Sequence, residues 1–122
     1  GVMSDVRMRW DGGKVQEMLR RTTAKALRDT AEDLLTEANK TVPLRDGDLM
    51  RSGLADVDER ALEASVSYGH GPAAPYAVVQ HERTDFRHSE GRRAKWLELA
   101  LDENRTRYQR YIAEQIRKTL RG

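Results

Sequence analysis

From Lys14 to Lys40 the chain runs 27 residues without a proline or a glycine, and a stretch that long with neither breaker reads as one helix. Pro43 stops it. Its apolar residues do not keep to one face. At roughly 100° per residue, Val15, Met18, Leu19 and Ala26 share one azimuth, while Leu27, Ala31, Leu34, Leu35 and Ala38 lie about a third of a turn away. The two halves of this helix must therefore meet different surfaces.

What can pack against it is limited. The chain has 122 residues and 38% hydrophobic composition; 23 residues are Leu, Ile, Val or Phe and 13 are Ala. That suits one domain over residues 1–122 with a thin core, stabilised further by partner subunits. Charged residues make up 34%, but 22 basic against 20 acidic groups leave a net charge of +2, which argues against disorder. No run approaches the about 18 apolar residues of a membrane span, and no secretory signal is visible. The absence of Cys excludes disulfide scaffolds, thiol catalysis and thiolate metal sites, and suits a reducing cytoplasm.

The remaining segments order themselves around that helix. Residues 2–10 place Val2, Val6, Met8 and Trp10 on one parity and charges on the other, the pattern of a half-buried strand. A turn-rich connector follows the helix over 43–53, with Asp46 or Asp48 capping a short helical turn; Gly47, after an Asp in a tight turn, suits a positive φ. Strands are expected over 53–58 and 62–68, a Gly/Pro-rich loop over 69–75, a short helix over 76–82 and an exposed loop over 83–92. Residues 94–120 form the cleanest amphipathic helix. Leu97, Ala100, Leu101, Asn104, Tyr108, Tyr111, Ile112 and Gln115 fall within about 120°, and the helix is expected to lie on a sheet face made by Val6, Met8, Val66 and Tyr68. The fold class is α+β: a long N-terminal helix and a C-terminal amphipathic helix packed on a small, mainly antiparallel sheet.

No catalytic, cofactor or metal signature emerges. His81 and Glu82, with Asp85 and His88 nearby, are the one cluster with metal-type side chains, but their spacing matches no standard ligand set. They read as exposed polar loop residues or a buried, hydrogen-bonded His81. Gly69-His70-Gly71 lacks the strand-to-helix context of a phosphate loop. Charge is unevenly spread: 8 basic and 7 acidic groups over residues 1–42, 4 and 8 over 43–86, and 10 and 5 over 87–122. The basic end offers Arg92, Arg93, Arg105, Arg107 and Arg110 to an acidic partner surface or to phosphates. Trp96, nearly a right angle off the apolar stripe, is an interface candidate, with a core role against the loop as the other option.

Three motifs in order carry a resemblance. Pro43, Asp46, Gly47, Leu49 and Ser52 match a "P-x-x-T/D-G-x-L-x-x-S" connector; Tyr76, Ala77, His81 and Glu82 match a "Y-A-x-x-x-E/H-E" segment; Trp96, Leu97, Ala100 and Leu101 match a "F/W-L-x-x-A-L" helix start. The chain thereby resembles the small tail-component, or minor capsid, proteins of long-tailed bacteriophages, over roughly residues 14–120. It departs from them at Arg83-Thr84-Asp85-Phe86, where the widespread members carry Phe-Gly-Thr. The resemblance implies a structural virion protein without enzymatic activity or cofactor. Such a protein is made in the bacterial host cytoplasm and forms a homo-oligomeric ring at the head–tail interface, as a neck, connector or tail-completion component. Its partners would be portal-side and tail proteins, with non-specific contact to packaged DNA compatible with the basic end. The alternative from composition is a small basic nucleic-acid-binding module.

Overall fold

In a computed structural model, residues 12–43, 47–69, 74–80, 84–85 and 94–122 are described. The expected strand over 2–10 lies outside them, as do Asp46, His81, Glu82, Arg92, Arg93 and all three histidines. Helix α1 spans Gly12–Asn39 and the short α2 spans Gly47–Arg51. Strands β1 (Leu54–Asp58), β2 (Glu63–Ser67), β3 (Tyr76–Gln80) and β4 (Thr84–Asp85) follow, and α3 (Lys95–Arg121) closes the chain. The strands form one antiparallel sheet in sequence order, so the α+β architecture of two long helices on a small antiparallel sheet holds.

The ends of α1 follow from its sequence. After Asn39 the chain tightens, with Lys40 N–H donating to Glu37 O (3.2 Å) and Thr41 N–H to Ala38 O (3.1 Å). Pro43 then prevents continuation. The β1–β2 hairpin turns on Asp58, whose Oδ1 accepts the backbone N–H groups of Arg60 (3.0 Å) and Ala61 (3.1 Å). Leu62 completes the turn at φ 54°, a left-handed conformation that a leucine holds only under tertiary constraint.

Three expectations are corrected. The short helix over 76–82 is instead strand β3, with Ala77 opposite Val66 and Val79 opposite Ala64. Val78 is buried as well, so β3 is covered on both faces and loses the alternation that marks a strand in sequence. Within the loop expected over 83–92, Thr84 and Asp85 pair with Val79 and Val78. Gly47 opens a helical turn, and the described glycine with positive φ is Gly69 at 81°.

The facing of the last helix also differs. Helix α3 packs mainly along α1, with smaller contacts to β3 and β4, because α1 already covers β1, β2 and β3. The two helices run antiparallel: Thr22 meets Thr119, Asp29 meets Tyr111, and Asp33 meets Tyr108. The core lies between this helix pair and the sheet. Leu27, Leu34, Val66, Val79, Leu97 and Leu101 are fully buried in it, with Ala26, Ala31 and Ala38 allowing the close approach of α1. Trp96 does not point away from this core: it is half-buried, and its ring meets Tyr68 edge-on at 4.6 Å between centroids. Leu99, by contrast, is exposed.

Between α2 and β1, Gly53 is where backbone and core approach most closely. A Cβ there would stand 2.7 Å from Leu35 Cδ1 and 2.8 Å from Tyr68 Cε2, so the neighbours would have to shift. Gly53→Ala is therefore expected to destabilise the domain by roughly 1–3 kcal/mol through overpacking. Leu101→Ala is expected to cost about 2–5 kcal/mol through the cavity it leaves. Chemical denaturation of both variants checks this, and unchanged midpoints would contradict the packing described.

Candidate interaction surface

The seam between α1 and α3 is sealed on its outer side by a ladder of polar contacts. Asp29 and Asp33 are one turn apart on α1, and Tyr111 and Tyr108 are three residues apart on α3, so antiparallel packing brings them opposite one another. Tyr111 Oη donates to Asp29 Oδ2 (2.6 Å), and Tyr108 Oη donates to Asp33 Oδ2 (2.7 Å). Arg107 adds a contact to Asp33 Oδ2 (2.6 Å), and its guanidinium carbon lies 4.9 Å from the centre of the Tyr108 ring. Burial alone pushes the Asp33 carboxyl up, but the bonds from Tyr108 and Arg107 outweigh it and hold the group below the usual carboxylate range. Asp29 is lowered in the same way, with Tyr111 and Lys25 overcoming its burial. The Tyr108 hydroxyl is pushed well above its ordinary value, first by burial and then by the Asp33 carboxylate it serves.

Two grooves flank the seam where it runs out toward the start of α1 and the end of α3. The outer one, about 430 Å³, is lined by Arg21, Thr22 and Lys25 from α1 and by Gln115, Lys118 and Thr119 from α3. The Thr22 and Thr119 hydroxyls share a 2.9 Å hydrogen bond across the seam at this groove. The inner groove, about 580 Å³, lies on the sheet side and is lined by Leu19, Leu62 and Ile116 together with the polar Gln16, Glu17, Arg20 and Thr23. Beyond both grooves, Met18 and Leu120 are 52% and 62% exposed. This end of the helix pair is strongly basic: residues 12–28 carry five basic groups against Glu17, and residues 110–122 carry four against Glu114.

Elsewhere the balance reverses. Residues 29–40 hold four acidic groups against Lys40, and residues 54–63 hold four against Arg60, with the turn of that hairpin reaching the basic end, where Arg20 donates to Glu59 O (2.9 Å) and Arg60 O (3.1 Å). Among the described residues strand β1 lies at the edge of the sheet, and its outward positions Leu54, Asp56 and Asp58 are exposed.

The residues singled out in the sequence divide into three sets. Ser52 donates to Leu49 O (2.6 Å) and accepts the Gly69 N–H (2.7 Å), tying the connector to the exit of β2. Pro43 and Tyr76 are half-buried, while Ala77, Leu97 and Ala100 are buried. These residues hold the fold. Arg105 bonds Asp102 (2.8 Å) and Arg107 bonds Asp33, so the cations expected to reach a partner are partly engaged within the chain, while Arg110 is exposed. His81, Glu82, Asp46, Arg92 and Arg93 lie outside the described residues. Among the described residues no group of three or more His, Cys, Asp or Glu side chains is placed to hold a metal ion.

Sequence reading missed the first half of α1 as part of the basic surface, because summing residues 1–42 cancels its cations against the acids of the second half. No protein-family model, curated protein or solved structure matches the chain.

The tyrosine–aspartate ladder gives a pH-dependent prediction. A carboxyl held below its ordinary value stabilises the fold above the normal carboxylate range, and that stabilisation is lost as pH falls through the lowered value. Asp33→Asn is therefore expected to lower stability near pH 7 by about 1 kcal/mol, the scale of a charge-assisted contact left partly in water. The difference from the unsubstituted protein should shrink as pH drops below about 4. Thermal melts from pH 2 to 8 check this, and a gap that does not change with pH would remove the assignment.

Proposed function

We propose that the chain is a structural component of a tailed-bacteriophage particle, a subunit that associates head to tail into a ring where the DNA-filled head joins the tail. The observation that supports this best is the presence of two unlike surfaces on one small domain. One is the basic end of the helix pair with bare Met18 and Leu120; the other is the acidic edge strand β1, with Leu54 58% exposed. A closed ring of identical subunits needs two different, complementary patches on each copy, and opposite charge with exposed apolar residues supplies both register and contact area.

The motif residues agree with this reading in a limited way. Leu97, Ala100, Ala77 and Ser52 act in packing and in the connector, so the resemblance bears on the fold, and the assembly role rests on the surfaces. Portal-side and tail-side proteins are the neighbours such a ring would meet, and the finished location is the virion. No helix among the described residues is long and apolar enough to cross a membrane.

Sedimentation velocity provides the test. The protein is expected to form oligomers that weaken between about 50 mM and 500 mM salt, as exposed charge pairs are screened. Leu54→Ser combined with Asp56→Lys, both at exposed positions, is expected to shift the population to monomer while leaving the melting temperature within a few degrees. A protein that stays monomeric at every salt and concentration, alone and mixed with portal-side or tail-side proteins, would overturn the proposal.

A further inference from the structure

The geometry points to the outer groove between α1 and α3 as a binding site for the phosphate backbone of duplex DNA, read without regard to sequence. Three cations from two helices, Arg21, Lys25 and Lys118, border one groove of about 430 Å³. Lys118 forms no ion pair with a described residue, while Arg21 and Lys25 are held only by same-helix carboxylates, Glu17 at 3.5 Å and Asp29 at 3.1 Å. The Arg21 and Lys25 side chains are about three-quarters exposed, so those pairs are weak and can exchange for a phosphate. The lining is otherwise polar: Thr22, Thr119 and Gln115 offer hydroxyl and amide groups, and the Asp29 carboxylate beside them is engaged by Lys25 and Tyr111.

At the outer groove charge complementarity favours this occupant, while the ring contact proposed above draws on Met18, Leu120 and the cations outside the groove. Arg21, Lys25 and Lys118 face one lining carboxylate, Asp29, so the groove itself is net cationic in a chain whose whole net charge is +2. Such concentration is not needed for ion pairing with a protein rim, where exposed pairs contribute little. It is what phosphate binding uses, because each neutralised phosphate releases condensed counterions. Base reading is absent from the site. Tyr111, the aromatic residue at the groove, has its hydroxyl committed to Asp29, and the groove offers no second ring for stacking. Leu19, Leu62 and Ile116 line the separate inner groove instead. The inference therefore rests on the proposed ring contact leaving the outer groove open.

The experiment is fluorescence anisotropy of a labelled random-sequence duplex of about 20 base pairs, titrated with the full chain at several salt concentrations. Two triple variants with equal charge change are compared: Arg21→Gln with Lys25→Gln and Lys118→Gln at the groove, and Lys40→Gln with Arg51→Gln and Lys95→Gln elsewhere on the exposed surface. Circular dichroism melts confirm that both fold. The unsubstituted protein is expected to bind in the micromolar range or weaker, with log affinity falling linearly in log salt. The groove variant's slope should be shallower by roughly two to three units, since each lost phosphate contact removes about 0.9. The control variant should keep most of the slope. Absence of salt-dependent duplex binding, or equal loss in both variants, would overturn the site. So would a groove variant that changes native mass without DNA while binding duplex normally, because the groove would then face protein.

Discussion

Everything else in this domain hangs on the antiparallel seam between α1 and α3. The chain has few large apolar residues, so the seam gains density by closeness. Ala26, Ala31, Ala38 and Ala100 let the backbones approach, and Leu27, Leu34, Leu97, Leu101 and Ile112 fill the remaining depth toward the sheet. Tyr108 belongs to both regimes: its ring is buried in the core while its hydroxyl reaches Asp33 at the surface. The seam is thus apolar inside and polar along its outer lip, which fixes the rotation of each helix about its own axis.

A second constraint locks the sheet and the connector to this pair. Tyr68 leaves β2 into the core, donates to Asn39 Oδ1 (2.7 Å) near the end of α1, and takes the edge of Trp96 from α3. Gly53 passes beneath the same ring, and Ser52 holds the Gly69 N–H beside it. Residues from the connector, the second strand and the last helix therefore converge on one corner. That convergence gives a physical reason for two of the three sequence motifs to occur in one chain: each supplies part of a single packing unit.

How much of this was legible in the sequence depended on whether the signal was local. The two long helices were legible because breakers and a 3.6-residue period are local properties, and the bounds expected for them fall within two residues of those found. Strand β3 was not, because its identity comes from pairing with β2 and from burial on both faces, which erases alternation. Gly47 follows an Asp in a tight turn, a local signal, yet the glycine that packing demands is Gly53, whose requirement comes from Leu35 and Tyr68, distant in sequence. The candidate surface was half legible. The basic stretch of α3 stood out, but its partner on α1 was hidden until the antiparallel arrangement set residues 12–28 beside residues 110–122.

Charge along a chain is a poor guide to surface charge for a further reason, which Arg107 makes plain. In linear arithmetic it belongs to the basic end and resembles Arg110 or Lys118. In the fold it spans the seam to Asp33 and lies over the Tyr108 ring, so its charge is spent holding two helices together. Arg105 is similarly matched to Asp102. Lys118 forms no such pair with a described residue and borders a groove, so its field is open to solvent and to whatever anion enters. The quantity that governs recognition is the charge left after intramolecular pairing, weighted by where the helices place it. On that measure the interaction surface moves from the middle of α3, where Arg105 and Arg107 sit, to the end of the helix pair, where α1 contributes as much as α3.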